Sequence, residues 1–145
     1  MALDFVDRYK EKLNSLYGML AKSKFSVCEN ISSDFIRTSE FIGFPEGVFV
    51  GEFFEMLFSN MNNVYHDFKV NETEVESIKK EIGNLIQFLI SNFPTENPND
   101  KARVYDLMVG TRNAVTEFQV RSYREGERKR RIIRGSLSQA GMPEE

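Results

Sequence analysis

Residues 48–68, VFVGEFFEMLFSNMNNVYHDF, decide the fold. Val48, Phe49, Val50, Phe53, Phe54, Met56, Leu57, Phe58, Met61, Val64, Tyr65 and Phe68 are too many apolar side chains for one face of a helix. A helix that is apolar nearly all round its first half calls for protein on several sides, so this stretch is expected to be the central helix of a bundle. Glu52 and Glu55 interrupt it, and its apolar run is far shorter than the roughly 20 residues that cross a bilayer. It belongs to a protein core, and no integral membrane association is expected.

The flanking segments carry the spacing of three and four that marks amphipathic helices. Over 3–22, Leu3, Val6, Tyr9, Leu13, Leu16, Tyr17 and Leu20 form an inward stripe. A second helix is expected over 30–42, with Ile31, Phe35, Ile36 and Ile42 inward and Asn30 or Ser32 as its cap. The connection Gly43-Phe44-Pro45-Glu46-Gly47 stops it, because proline lacks a donor and glycine turns freely. Phe44 in that loop either docks a partner or covers the end of the core.

In Asn71-Glu72-Thr73-Glu74, Asn71 with Glu74, or Thr73 with Glu76, fits a capping box, and Val75, Ile78, Ile82, Leu85, Ile86, Leu89, Ile90 and Phe93 form the stripe until Pro94. A fifth helix, about 100–122, is capped near Asn99 or Asp100. It turns Val104, Leu107, Met108, Thr111, Val115 and Phe118 inward and keeps Tyr105, Val109 and Val120 on a flank. No stretch reads as a convincing strand; Phe25-Ser26-Val27 is too short to define one. The fold class is therefore an all-α bundle of about five helices over 1–122. Residues 123–145 follow as a basic, flexible and partly disordered C-terminal extension.

A chain of 145 residues has room for one such domain without disulfides or a structural metal. Its single cysteine excludes an intramolecular disulfide, and no secretory pattern is evident at its start, so the cytoplasm is the expected compartment. The net charge of −3 hides an asymmetry: residues 1–120 hold 12 Lys+Arg against 18 Asp+Glu, and residues 121–145 hold 7 against 4. The body is expected to repel nucleic acid, and the extension is the part with the charge to attract it.

Chemistry has few footholds. His66 is the lone histidine, and its neighbour Asp67 points about 100° away from it on a helix, where it cannot orient the ring. Cys28 beside His66 would make a thiolate–imidazolium pair, but nothing in the sequence brings them together. Glu52 and Glu55 share a helix sector without the Glu-x-x-His pairs of bundle metal sites, and glycine-rich phosphate loops are absent. No catalytic residue, metal or cofactor is assigned.

Two surfaces remain. The apolar flank of the fifth helix, with Tyr105, Val109 and the intervening Arg112, joins Phe44 as the candidate interface for a second copy or another protein. Arg103 and Asp106, one turn apart, are expected to pair beside it. Arg121, Arg124, Arg128, Lys129, Arg130, Arg131 and Arg134 form the candidate contact for phosphates or an acidic partner. The leading expectation is a non-enzymatic interaction or scaffold subunit that self-associates. The alternative is a nucleic-acid-binding accessory protein acting through 121–134, and the weakest is a small enzyme using Cys28 or His66.

Overall fold

A computed structural model describes residues 2–67, 70–92 and 96–139, with side chains given between Asp7 and Ile132. Among these residues five helices follow one another: α1 (Ala2–Ala21), α2 (Phe25–Phe41), α3 (Pro45–Asp67), α4 (Glu72–Asn92) and α5 (Pro98–Gln139). The all-α bundle expected from the periodicities is the fold observed. Phe68, Phe93 and Pro94, which the sequence places at helix ends, lie outside the described residues, as do the side chains of Leu3, Val6, Ile133, Arg134 and Leu137.

The helices close into a ring. α1 packs on α2 and α4, α3 packs on α2 and α5, and α5 completes the circuit against α4. Each helix thus has two neighbours. α3 contributes Phe54, Leu57, Phe58 and Met61 to the interior, all nearly inaccessible, but it is one wall of the ring and is not surrounded on several sides. Its surplus apolar residues, Phe49 and Met56, lie on the surface.

α2 and α3 approach most closely because α3 presents Gly47 and Gly51, one turn apart. A Cβ at Gly51 would sit 2.6 Å from Ile36 Cγ1 and 3.3 Å from the Ile36 backbone nitrogen. Gly47 likewise has Ser39 and Phe44 against it. Gly47 therefore serves close packing inside α3, where the sequence suggested a free turn. The turn itself falls on Gly43, whose φ is 70°. There Gly43 N–H donates to Glu40 O (3.1 Å) and Phe44 N–H to Ser39 O (2.8 Å), the paired bonds that finish a helix through a left-handed residue.

α2 starts five residues before the expected position. Ser23, at φ 58°, ends α1 in the same way: its N–H donates to Leu20 O (2.9 Å) and that of Lys24 to Met19 O (3.0 Å). Lys24 is the N-cap of α2 and offers no side-chain bond, so Asn30 and Ser32 lie inside the helix and cap nothing. Ser32 instead returns its hydroxyl to Cys28 O at 2.8 Å.

Two prolines open helices, Pro45 among them, which the sequence reads as a break. Pro45 is the first residue of α3 and Pro98 the first of α5, where a missing donor costs nothing and φ is already helical. Asn97, and not Asn99 or Asp100, caps α5: its Oδ1 accepts from Asn99 N–H at 2.9 Å. At α4, Asn71 Oδ1 accepts from Glu74 N–H at 3.2 Å as the capping signature requires. The return half of that box is replaced, because the Glu74 carboxylate takes Arg121.

Candidate interaction surface

α3 and α5 are neighbours without being consecutive, and they run in the same direction. The first two turns of α3 and the early turns of α5 therefore lie side by side, leaving a groove of about 340 Å³ between them. Phe49 and Val50 form one wall, and Val104, Tyr105 and Met108 the other, with Glu46 and Lys101 alongside. Val50, Val104 and Met108 are core residues; Phe49 is 54% exposed and Tyr105 59% exposed.

Helical spacing lengthens this apolar face along both helices. On α3, Phe49, Phe53 and Met56 follow at intervals of four and three, Phe53 half-buried and edge-on to Phe54 at 5.5 Å. On α5, half-buried Val109 stands one turn beyond Tyr105 and exposed Arg112 follows it. Phe41, 92% exposed, and Ile42 lie on the surface in the short passage leading into Pro45 at the same end of the bundle.

Of the interface residues picked from sequence, Tyr105, Val109 and Arg112 thus occupy one side of the groove's α5 edge. Phe44 takes the other of its two expected roles: it is half-buried against the core, with its ring edge-on to Tyr9 at 5.9 Å. Among the described residues Arg103 forms no ion pair with Asp106 but lies over the Phe88 ring of α4, its guanidinium carbon 5.4 Å from the centroid. The sequence pattern counts Phe49 and Met56 toward a helix buried on several sides and gives Phe41 no place. No periodicity rule tells a buried phenylalanine from an exposed one on a helix that is apolar all round.

The basic segment is helical and continuous with the packed part of α5. Arg121 is fixed to the body through Glu74, with Nε 2.7 Å from Glu74 Oε1. Arg128 bonds Glu125 at 2.7 Å and Arg130 bonds Glu127 at 2.8 Å, so two of the cations are answered within the helix. Glu125 is held below the usual carboxylate range by the Arg128 hydrogen bond, and Arg128 is raised by the same contact. Among the described residues, Arg124, Lys129 and Arg131 form no ion pair. The side chain of Arg134 falls outside the described residues.

Cys28 is completely buried, with its thiol directed at Leu16 O (3.9 Å), and burial pushes its pKa up to about 12. It is a neutral core side chain near neutral pH, whereas His66 is on the surface. Glu55 accepts the Ser33 hydroxyl, and Glu52 is exposed. Among the described residues no three His, Cys, Asp or Glu side chains gather into a group that could hold a metal ion. No helix among them is long and apolar enough to cross a membrane.

Compared with protein-family models, with curated proteins and with solved structures, the chain matches none.

Proposed function

We propose that this chain is a non-enzymatic protein-interaction subunit of the cytoplasm that self-associates through its helix faces. The observation that carries this reading is the open apolar groove between α3 and α5, bordered by Phe49 and Tyr105, each more than half exposed. Large aromatic side chains left in water at the edge of a concave apolar surface supply the anchor-and-pocket elements from which helix-in-groove contacts are built. Contiguous exposed apolar area of this kind is what marks interaction surfaces on soluble domains.

Light scattering across a dilution series from about 100 to about 1 µM, a range suited to micromolar association, tests the proposal. Self-association gives a mass above 16.8 kDa that falls on dilution. A constant 16.8 kDa throughout removes it.

A second reading rests on a separate observation. Arg121, Arg124, Arg128 and Arg131 recur at intervals of three, four and three on a continuous helix, which aligns them along one side. Such a stripe suits phosphate contacts, with affinity that falls steeply as salt rises. Binding of the full chain to labelled single- and double-stranded nucleic acid at low and near-physiological salt tests it. Binding that survives replacement of Arg124, Arg128 and Arg131 by glutamine would dismiss the stripe as its cause.

A further inference from the structure

The two edges of the α3–α5 face carry opposite charge. Between Arg37 and Lys69 the chain has no lysine or arginine, so the α3 edge bears only Glu46 and Glu52 beside Phe49. The α5 edge bears Lys101 and Arg112, four before and seven after Tyr105 and hence on the same side of that helix. The acids of α5 around this stretch, Asp100, Asp106 and Glu117, fall on a different sector by the same spacing, and Lys101 keeps a 3.9 Å contact with exposed Glu96 ahead of the helix.

From this polarity we infer that the occupant of the groove is a second copy of this chain, related by a two-fold axis. The acidic α3 edge of each copy then lies on the basic α5 edge of the other. This deepens the self-association proposed above and rests on it. A two-fold contact uses one patch twice, so the patch must complement itself. An apolar strip with an acidic border on one side and a basic border on the other meets that condition; a strip bordered by one sign does not.

The parallel course of α3 and α5 adds a constraint on direction. A two-fold perpendicular to both helices sets α3 of one copy antiparallel to α5 of the other. Glu46 and Glu52 then meet the partner helix in the order Arg112, Lys101. Phe49 and Tyr105 of both copies fall between these charge pairs, where desolvation favours the rings. The groove, lined by Val50, Val104 and Met108 between the two rings, receives the partner's aromatic edge.

Charge reversal on the full chain tests the arrangement. E46K/E52K makes both borders basic, and K101E/R112E makes both acidic. All four positions are exposed, so neither change touches the core. Each variant alone is expected to dissociate at concentrations at least about tenfold above those needed by the unaltered chain, as like charges across an interface oppose association. An equimolar mixture is expected to recover a heterodimer, because both pairs of borders are again opposite. That recovery also establishes that each variant is folded.

Sedimentation velocity reads all four samples. If either variant alone associates as tightly as the unaltered chain, self-association stands but this face is not its site. If both are monomeric with unchanged helical circular dichroism and the mixture stays monomeric, the charge pairing is wrong. An unaltered chain that is monomeric throughout gives the face to a different protein and removes both the inference and the reading beneath it.

Discussion

Gly51 and Gly110 both lie inside helices, where glycine costs about 0.5–1 kcal/mol relative to alanine. Their surroundings give them opposite reasons to be there. A Cβ at Gly51 meets Ile36 side chain and backbone, while at Gly110 nothing stands within 4 Å. Gly51→Ala is therefore expected to destabilise by about 1–3 kcal/mol, the usual cost of forcing packed elements apart. Gly110→Ala should stabilise by up to about 1 kcal/mol. Urea unfolding of the two variants checks the pair, and equal effects of the same sign would contradict it.

Lys79 shows how a buried cation is satisfied. Its Nζ donates to Ala21 O, Ser23 Oγ and Glu76 Oε1, each at 2.9 Å, joining α4 to the end of α1. Cys28 is the residue whose burial has a pH signature. Its pKa is raised in the folded chain from 9.0 to about 12, so the unfolded chain loses the thiol proton first. The stability this contributes is complete below pH 9.0 and is lost as pH rises toward about 12. Replacing Cys28 by alanine should flatten that part of the stability–pH curve, measured by urea midpoints between about pH 8 and 10. An unchanged slope would mean that the thiol does not carry it.

At the scale of elements, α5 divides into two regimes on one axis. Among the described residues its buried side chains end at Phe118, and from there to Ile132 the helix has no continuous apolar face. The segment beyond carries the one-turn ion pairs Arg128–Glu125 and Arg130–Glu127, the kind that supports an exposed helix weakly. Glu125→Ala with Glu127→Ala should accelerate amide exchange over 123–132 several-fold and leave α1–α4 unchanged. Exchange that stays slow would show that something other than these pairs orders it.

Helix existence and inward stripes were legible in the sequence because a 3.6-residue period follows directly from burying one side. Val75, Ile78, Ile82, Leu85, Ile86 and Leu89 are buried as the pattern of α4 requires. Boundaries were not legible where the ending residue breaks the compositional rule. Ser23 takes the left-handed position that glycine usually fills, which hid the start of α2. Pro45 and Pro98 look alike as stops or as starts, and only the next turn of structure decides. The groove was half legible: Tyr105, Val109 and Arg112 stand out as a second flank on α5. Phe49 does not stand out on α3, because its neighbours are as apolar as it is.

For the whole molecule, the ring and the basic segment separate two kinds of association. The groove lies within residues 45–108, and the last buried residue among those described, Phe118, precedes the basic segment. Glu46, Glu52, Lys101 and Arg112 are exposed, so salt would screen the pairs proposed between copies over a Debye length of about 8 Å at physiological strength. The apolar part of the same face is not weakened by salt. Association through this face should therefore fall only a few-fold between about 50 and about 500 mM salt, a mixed response of screened charges and retained apolar contact. It should also persist when residues 123–145 are removed, since no residue of the face lies there. Contact through the arginines behaves differently on both counts: affinity collapses with salt and disappears with the segment. Sedimentation of the full and shortened chains at the two salt concentrations separates the cases. Loss of self-association on shortening would place the interface on the basic helix, with the acidic body of a second copy as its target.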